Sequence, residues 1–92
     1  MGAFLHVYIV PKEGVTRQHV EAKLNKAIDW IRYGEGVYLV YTNSDVAKWK
    51  ARLIDFVKPG GNLCIAKLDI TERKGYISNE LWRWIGGKVE RS

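Results

Sequence analysis

Few residues of this 92-residue chain are of types that perform chemistry, and they lie far apart in the sequence. The candidate nucleophiles and soft metal ligands are one cysteine and two histidines, Cys64, His6 and His19. A reactive thiol needs an exposed, electropositive setting, whereas Cys64 falls in a predicted strand, where we expect it to be an inert, buried side chain. A histidine that acts as a general base needs a carboxylate to orient it, and none can be inferred for His6. We therefore expect neither a Cys/His metal site nor a cofactor.

Two carboxylates, Asp69 and Glu72, come closest to forming an acidic site, because they bracket the end of the predicted last strand. Lys67, Arg73 and Lys74 surround them, so surface ion pairs worth about 0–1 kcal/mol each explain these charges more simply. The glycine-rich segments match neither a P-loop nor a dinucleotide-binding fingerprint. Without a catalytic constellation, the sequence favours a protein that is not an enzyme.

Composition indicates one globular domain over residues 1–92. Hydrophobic residues make up 47% of the chain, enough for a single modest core, and the net charge is +5, from 15 Lys and Arg against 10 Asp and Glu. This charge favours polyanionic partners only weakly, because the basic residues do not form one block. A lone cysteine, no leader-like N-terminal segment and apolar runs far below the ~20 residues of a membrane span predict a cytoplasmic protein outside the membrane.

The first half of the chain predicts a strand, a helix and a hairpin. A β-branched and aromatic run, Phe4–Val10, should be a strand that ends before Pro11. Thr16 is the expected N-cap of a helix whose apolar face comprises Val20, Leu24, Ala27 and Ile28. The segment Ile28–Tyr33 could continue this helix or form a strand. We favour the strand, because Gly34-Glu35-Gly36 joins it to the clear strand Val37–Thr42.

The second half predicts a helix, a strand and a short final helix. Asn43-Ser44-Asp45 supplies caps for the second helix, whose core stripe is Val46, Trp49, Leu53, Phe56 and Val57. The segment Lys58–Asn62 should end that helix. Leu63–Ile70 is the predicted last strand, and Ser78 should cap a short helix that Gly86-Gly87 ends.

The resulting order, β-α-β-β-α-β plus a C-terminal helix, predicts an α+β fold of the ferredoxin-like kind, with an antiparallel sheet and two helices on one face. If Ile28–Tyr33 is helical instead, the fold has three strands and three helices. In the ferredoxin-like arrangement the second sheet face must meet water, a partner or a ligand.

Aromatic residues cluster in the predicted hairpin, and neighbouring strand residues face opposite sides of a sheet, so they cannot all be in the core. Exposed aromatic rings interleaved with basic residues could stack the bases of nucleic acid. The candidate nucleic-acid-binding residues are Arg32, Lys67, Tyr38 and Tyr41. The same kinds of residue are enriched at protein interfaces, and the candidate homodimer contacts are Trp30, Tyr33 and Tyr38.

Several of these segments together carry a resemblance to a known group of proteins. They are the first strand, the hairpin around Ile28–Thr42, the Ser44-capped helix, the strand LCIAKLDI and the closing run GYISNELWRWI at residues 75–85. In pattern the chain resembles the SinR-type small bacterial proteins, distant relatives of the small adaptation subunit of CRISPR systems and of VapD toxins. The resemblance implies a ferredoxin-like fold, a homodimer joined through sheet edges or faces, and a link to nucleic acid.

The nuclease-competent relatives place an aspartate at the end of the first strand, where two copies can hold a divalent metal. The corresponding stretch here, Val7-Tyr8-Ile9-Val10-Pro11-Lys12, has no carboxylate, and metal-dependent phosphoryl chemistry needs clustered oxygen ligands. We therefore expect a non-catalytic interaction module, a homodimer with a possible nucleic-acid-binding face. The alternatives are a metal-dependent nuclease and a small-ligand sensor.

Overall fold

The computed structural model describes residues 2–76 and 78–91, which form four strands, three α-helices and one short 3-10 helix. In chain order the elements are β1 (Ala3–Val10), α1 (Arg17–Leu24), β2 (Asp29–Gly34), β3 (Val37–Thr42), α2 (Val46–Leu53), a 3-10 helix (Ile54–Phe56), β4 (Asn62–Leu68) and α3 (Asn79–Arg91). The predicted α+β class is confirmed. Ile77, which belongs to the closing run of the resemblance, lies outside the described residues.

The four strands form one antiparallel sheet in the order β2-β3-β1-β4. The first strand is therefore central, and Val7 lies opposite Tyr38 of β3 on one side and Ile65 of β4 on the other. The strand ends at Val10, as predicted, directly before Pro11, which has no N–H to donate to a ladder.

The segment that allowed two interpretations is a strand, so the hairpin prediction is confirmed and the helical alternative is wrong. β2 pairs with β3 from Asp29 opposite Tyr41 to Gly34 opposite Val37. The connecting Gly36 has a φ of +72°, and a Cβ there would lie 2.6 Å from the carbonyl oxygen of Ile9. Only glycine suits this turn.

Helices α1 and α2 pack on one face of the sheet and form the main core with it. Its buried side chains are Leu5, Val7, Ile9, Val20, Leu24, Tyr38, Val40, Trp49, Leu53 and Val57. The indole N–H of the fully buried Trp49 donates to the hydroxyl oxygen of Thr42 at 3.0 Å, and the same oxygen accepts from the N–H of Ser44 at 3.0 Å. The core therefore satisfies its one buried indole through a side chain of β3.

Both helices are shorter than their apolar stripes predict. Helix α1 follows Thr16, whose backbone N–H donates to Nδ1 of His19 at 3.0 Å, but it ends at Leu24 and leaves Ile28 54% exposed. Helix α2 begins after Asp45, whose carboxylate accepts from the N–H of Lys48 at 2.8 Å. It ends at Leu53; of the rest of the predicted stripe, Phe56 lies in the 3-10 helix and Val57 directly follows it.

The third helix, α3, packs on the opposite sheet face. The expectation that Gly86-Gly87 end this helix is wrong, because it continues through both glycines to Arg91. Leu81 and Ile85, each 3% exposed, pack with Leu39 of β3 in a second, smaller core. This apolar stripe holds the helix against the sheet, so the second face is partly covered by the chain itself.

A carboxylate at the start of β2 fastens α3 to the sheet. Oδ2 of Asp29 lies 2.6 Å from Nζ of Lys88 and accepts from the indole N–H of Trp84 at 3.1 Å. Burial alone would raise the pKa of Asp29, but the hydrogen bonds from Lys88, the Trp30 N–H and Trp84, with the charge of Lys88, lower it below its usual value.

The charged residues are distributed unevenly between the two sides of the sheet. Helices α1 and α2 together carry five basic side chains and one acidic one, Glu21. The basic residues are Arg17, Lys23, Lys48, Lys50 and Arg52. None of the described helices is long and apolar enough to cross a membrane.

Candidate interaction face

Helix α3 covers only part of the second sheet face, and the remainder is open. Side chains alternate along a strand, so the residues of β1 on this face are Phe4, His6, Tyr8 and Val10. Phe4 lies beneath α3, where its ring meets Trp84 at 6.1 Å. The uncovered part, which we call the open face, comprises His6, Tyr8, Val10, Tyr33, Val37, Asn62, Cys64 and Ala66.

Strand register brings the members of the open face together. Tyr8 lies opposite Val37 of β3 and Cys64 of β4. The rings of His6 and Tyr33 meet edge to face with their centroids 5.9 Å apart, which places the β2 tyrosine on the same surface. Four strands therefore contribute to one continuous patch.

The open face is mostly apolar and aromatic, and His6 and Asn62 are its polar members. Tyr8 is 40%, Val10 39% and Tyr33 41% exposed, which makes them three of the large hydrophobic residues that the structure leaves accessible to water. None of the eight open-face residues is Asp, Glu, Lys or Arg. Contiguous exposed apolar patches on small proteins commonly mark interaction sites.

Cys64 was expected to be buried, and the structure places it on the surface. It is exposed because β4 is an edge strand that α3 does not cover at this end. Cys64 lies opposite Tyr8 in the sheet, so the reactivity of its thiol reports whether a partner covers the open face.

The aromatic candidates from the sequence divide between the two faces of the sheet. Trp30 and Tyr38 lie on the face covered by α1 and α2, where the centroids of their rings are 5.7 Å apart. Tyr38 is 1% exposed and donates its hydroxyl hydrogen to Glu21 at 2.9 Å. Tyr41 is 8% exposed and its ring lies 5.0 Å from that of Phe4, leaving little surface for a base to stack on. Of these aromatic residues, Tyr33 is the one on the open face.

The two basic candidates are separated from the open face. Arg32 neighbours Tyr38 in the sheet and its Nε lies 3.8 Å from Glu21 of α1, so it is on the helix side of one edge strand. Lys67 lies opposite the buried Leu5, on the helix side of the other edge strand. Arg32, Lys67 and Tyr38 therefore share the face covered by α1 and α2, where Tyr38 is buried, and neither basic residue lies on the open face with Tyr33.

The acidic candidates Asp69 and Glu72 share one turn, in which the Asp69 side chain bonds to its own loop. The carboxylate of Asp69 accepts from the N–H of Thr71 at 3.1 Å and from its hydroxyl at 2.6 Å, and these bonds lower the pKa of Asp69. It thus closes a local turn just after β4, and Glu72 follows it in the same turn. Across residues 2–76 and 78–91, no group of three His, Cys, Asp or Glu side chains could hold a metal ion.

From the sequence, Tyr8 and Val10 were not identified as surface residues and Cys64 was predicted to be buried, although a signal was present. The first strand is mostly apolar at both odd and even positions, which indicates that both of its faces make contacts.

Comparison of the chain with protein-family models, with curated proteins and with solved structures gives no match.

Proposed function

We propose that this protein is a non-catalytic interaction domain that associates with a second copy of itself through the open face. The observation that supports this proposal is an accessible, uncharged aromatic patch, around Tyr8 and Tyr33, beside an already covered half of the same sheet. An exposed apolar surface is stabilised when it is removed from water, at about 25 cal/mol per Å².

The composition of the open face favours a second copy over nucleic acid. A surface that binds the phosphate backbone needs cations, and no open-face residue is Lys or Arg. An uncharged surface meets its own copy without repulsion, and tyrosine is enriched at the centres of protein interfaces. A two-fold contact would place each Tyr8 and Tyr33 against the same patch of the partner.

The size of the open face sets the strength of this association. Stable interfaces use about 20 to 30 residues from each partner, whereas the open face has eight. We therefore expect a reversible dimer whose population rises with concentration through the micromolar range, with the edge of β4 adding to the contact.

Sedimentation velocity over a range of protein concentrations tests this proposal directly. The wild-type protein should shift from monomer to dimer, and Tyr8→Glu or Tyr33→Glu should weaken the dimer at least about tenfold, because each places a carboxylate in an apolar contact. Cys64 gives a second measurement: its reaction with a thiol reagent should slow as the dimer forms, since the thiol lies on the same face.

Tyr76→Glu is the matched control, because Tyr76 is a fully exposed tyrosine outside the open face. This variant should dimerise like the wild type. A wild-type protein that stays monomeric at every concentration contradicts the proposal, as does a well-folded Tyr8→Glu, Tyr33→Glu double variant that still dimerises normally.

A second candidate function, nucleic-acid binding, is supported by the basic surface of α1 and α2. Five basic side chains accompany one acidic side chain on these two helices, and they lie on the side of the sheet away from the open face. Anisotropy of labelled RNA and DNA should show binding that weakens with salt, by about 0.7 to 0.9 log units per log unit for each phosphate contacted.

The variant Lys48→Gln with Lys50→Gln should weaken this binding, and Lys74→Gln, which removes a charge outside the two helices, should leave it nearly unchanged. Binding that ignores all three changes would contradict the assignment to the helices. Cleavage that needs magnesium and stops with EDTA would instead favour the nuclease alternative, for which the sequence lacks a first-strand carboxylate.

We also infer that the fold is of the ferredoxin-like type and that the chain is a cytoplasmic relative of the SinR-type proteins. The strand order β2-β3-β1-β4, with α1 and α2 on one face, supports the first inference. The second depends on the pattern of segments, and the single cysteine is consistent with a reducing compartment. A dimer in solution is what the resemblance implies, so the sedimentation experiment bears on it as well.

A further inference from the structure

A cleft of about 610 Å³ opens beside α1, at the end of β1, and shares Val10 with the open face. It lies between the end of β1, the hairpin that joins β2 to β3, and the N-terminal part of α1. Its volume falls within the range of about 300–1,000 Å³ that is typical of small-molecule sites. Its lining is mixed: Pro11 and Val15 are apolar, and Arg17, Gln18, Arg32 and Glu35 are polar or charged.

Two arginines from different elements meet over a single carboxylate at this cleft. Nε of Arg17, on α1, lies 3.5 Å from Oε2 of Glu21, and Nε of Arg32, on β2, lies 3.8 Å from the same oxygen. Glu21 also accepts the hydroxyl hydrogen of the buried Tyr38 at 2.9 Å, which fixes its position relative to the core. One anchored carboxylate oxygen thus contacts both guanidinium groups.

These contacts leave the outer parts of both guanidinium groups available. Each arginine approaches Glu21 through Nε, and no acceptor in the described part of the chain bonds to its two terminal nitrogens. The side chains of Arg17 and Arg32 are 53% and 38% exposed, so a ligand can reach them from the cleft. The first turn of α1, which also lines the cleft, favours negative charge through the helix dipole.

The arrangement favours a phosphate monoester by its number of acceptor oxygens and its charge. A carboxylate offers two oxygens and one negative charge, and Glu21 shows that it can contact both guanidinium groups. A phosphate monoester has three terminal oxygens in a tetrahedral arrangement, so it can accept from two guanidinium groups on different elements at once. The apolar lining next to the arginines suits a compact apolar body attached to that phosphate.

One further charge limits the affinity. Glu35, in the hairpin turn, also lines the cleft and is exposed. Its carboxylate repels an anion, although solvent screens the repulsion. The two arginines carry two positive charges and Glu21 carries one negative charge, which leaves a local excess of one positive charge. Glu35, at the rim of the cleft, offsets this excess.

We propose that this cleft binds a small organic phosphate, a phosphate monoester with a compact apolar body, through the terminal nitrogens of Arg17 and Arg32. The cleft shares Val10 with the open face, but the two arginines that would hold the phosphate lie outside the open face. It gives the small-ligand alternative from the sequence a definite location and a ligand class.

Phenyl phosphate is a suitable probe, with phenol and inorganic phosphate as its two halves. In an NMR titration of the full chain at low ionic strength, phenyl phosphate should shift the amide signals of α1 and the hairpin at lower concentration than either half. Arg17→Gln and Arg32→Gln should each weaken binding about tenfold, because each removes a charge-assisted donor pair. Arg32→Lys should also weaken it, since lysine keeps the charge and loses the planar fork.

Arg83→Gln, which removes an exposed arginine of α3, is the matched control and should bind like the wild type. Glu35→Gln should bind about two- to threefold more tightly through relief of repulsion. The proposal would be overturned if phenol bound as tightly as phenyl phosphate. It would also be overturned if the Arg17 and Arg32 variants were folded and bound phenyl phosphate normally. Shifts spread over α2 and α3 instead of the cleft would overturn it too, because they indicate nonspecific attraction to the net positive charge.

Discussion

Replacing Gly86 and Gly87 by alanine should stabilise the protein, because both glycines lie inside α3. Glycine in a helix interior costs about 1 kcal/mol relative to alanine, and the Cβ of an alanine at either position would meet no atom within 4 Å. The two substitutions together should therefore raise the free energy of unfolding by about 2 kcal/mol. No steric term offsets this gain.

Thermal unfolding followed by circular dichroism measures the effect. For a domain of this size 1 kcal/mol corresponds to roughly 4–8 °C in Tm, so the double variant should melt roughly 8–16 °C higher. Amide hydrogen exchange of α3 should slow in the same variant, since local opening of the helix becomes less favourable.

Gly14→Ala is a control that separates available space from backbone conformation. A Cβ at Gly14 would also meet no atom within 4 Å, but its φ is +88°, a region where a side chain costs roughly 1 kcal/mol or more. Gly14→Ala should therefore lower Tm while the α3 substitutions raise it. If the α3 variant melts lower than the wild type, then α3 does not pass through the glycines and the account of the second sheet face fails.

Three further predictions concern the interior and the attachment of α3. Thr42→Val leaves the indole N–H of the fully buried Trp49 without its acceptor and should cost about 1–3 kcal/mol in urea unfolding, with a normal fold by circular dichroism. Asp29→Asn removes the partner of Lys88 and should weaken α3 docking by about 1 kcal/mol, since the carboxylate is partly exposed; hydrogen exchange of α3 unchanged from wild type would contradict this. Because the pKa of Asp29 is lowered, its stabilisation is present above about pH 4 and is lost as pH falls through the folded-state value, so acid should lower the protection factors of the α3 amides more in the wild type than in the variant. Burial and a carboxylate partner raise the pKa of Tyr38 from 10.0 to about 12, so its contribution is complete below pH 10 and the free energy of unfolding should fall as pH rises from 10 to 12.

Elements could be predicted from the sequence where residue type and turn signals indicate the same structure. Pro11 ends β1 because it lacks an N–H, and the Gly36 turn joins two β-branched runs, so the strand and the hairpin could both be predicted. The stripe of Trp49 and Leu53 identified the core face of α2 because residues four apart share a helix face.

Helix ends and face assignments were less predictable, because tertiary contacts decide them. Gly86-Gly87 are a typical helix stop, yet Leu81 and Ile85 on one side and Lys88 on the other are anchored to the sheet, and this docking carries the helix through both glycines. Which of Tyr33 and Tyr38 is exposed depends on strand register, which composition does not specify.

The candidate sites could not be predicted from the sequence for the same reason, because tertiary packing brings their residues together. Arg17 and Arg32 are 15 residues apart in the sequence, and only the packing of α1 against the edge of the sheet brings both to Glu21. Likewise, the exposure of Cys64 follows from the position of β4 at the edge of the sheet, a property of strand order.

The uneven distribution of charge determines where the basic helices would lie in the dimer proposed above. Helices α1 and α2 lie on one side of the sheet and the open face on the other. Two copies joined through their open faces would therefore carry their basic helices on opposite outer surfaces, pointing away from each other. Such an assembly would bridge two separate polyanionic strands instead of gripping one, and its contacts would gain from multivalency where such strands are dense.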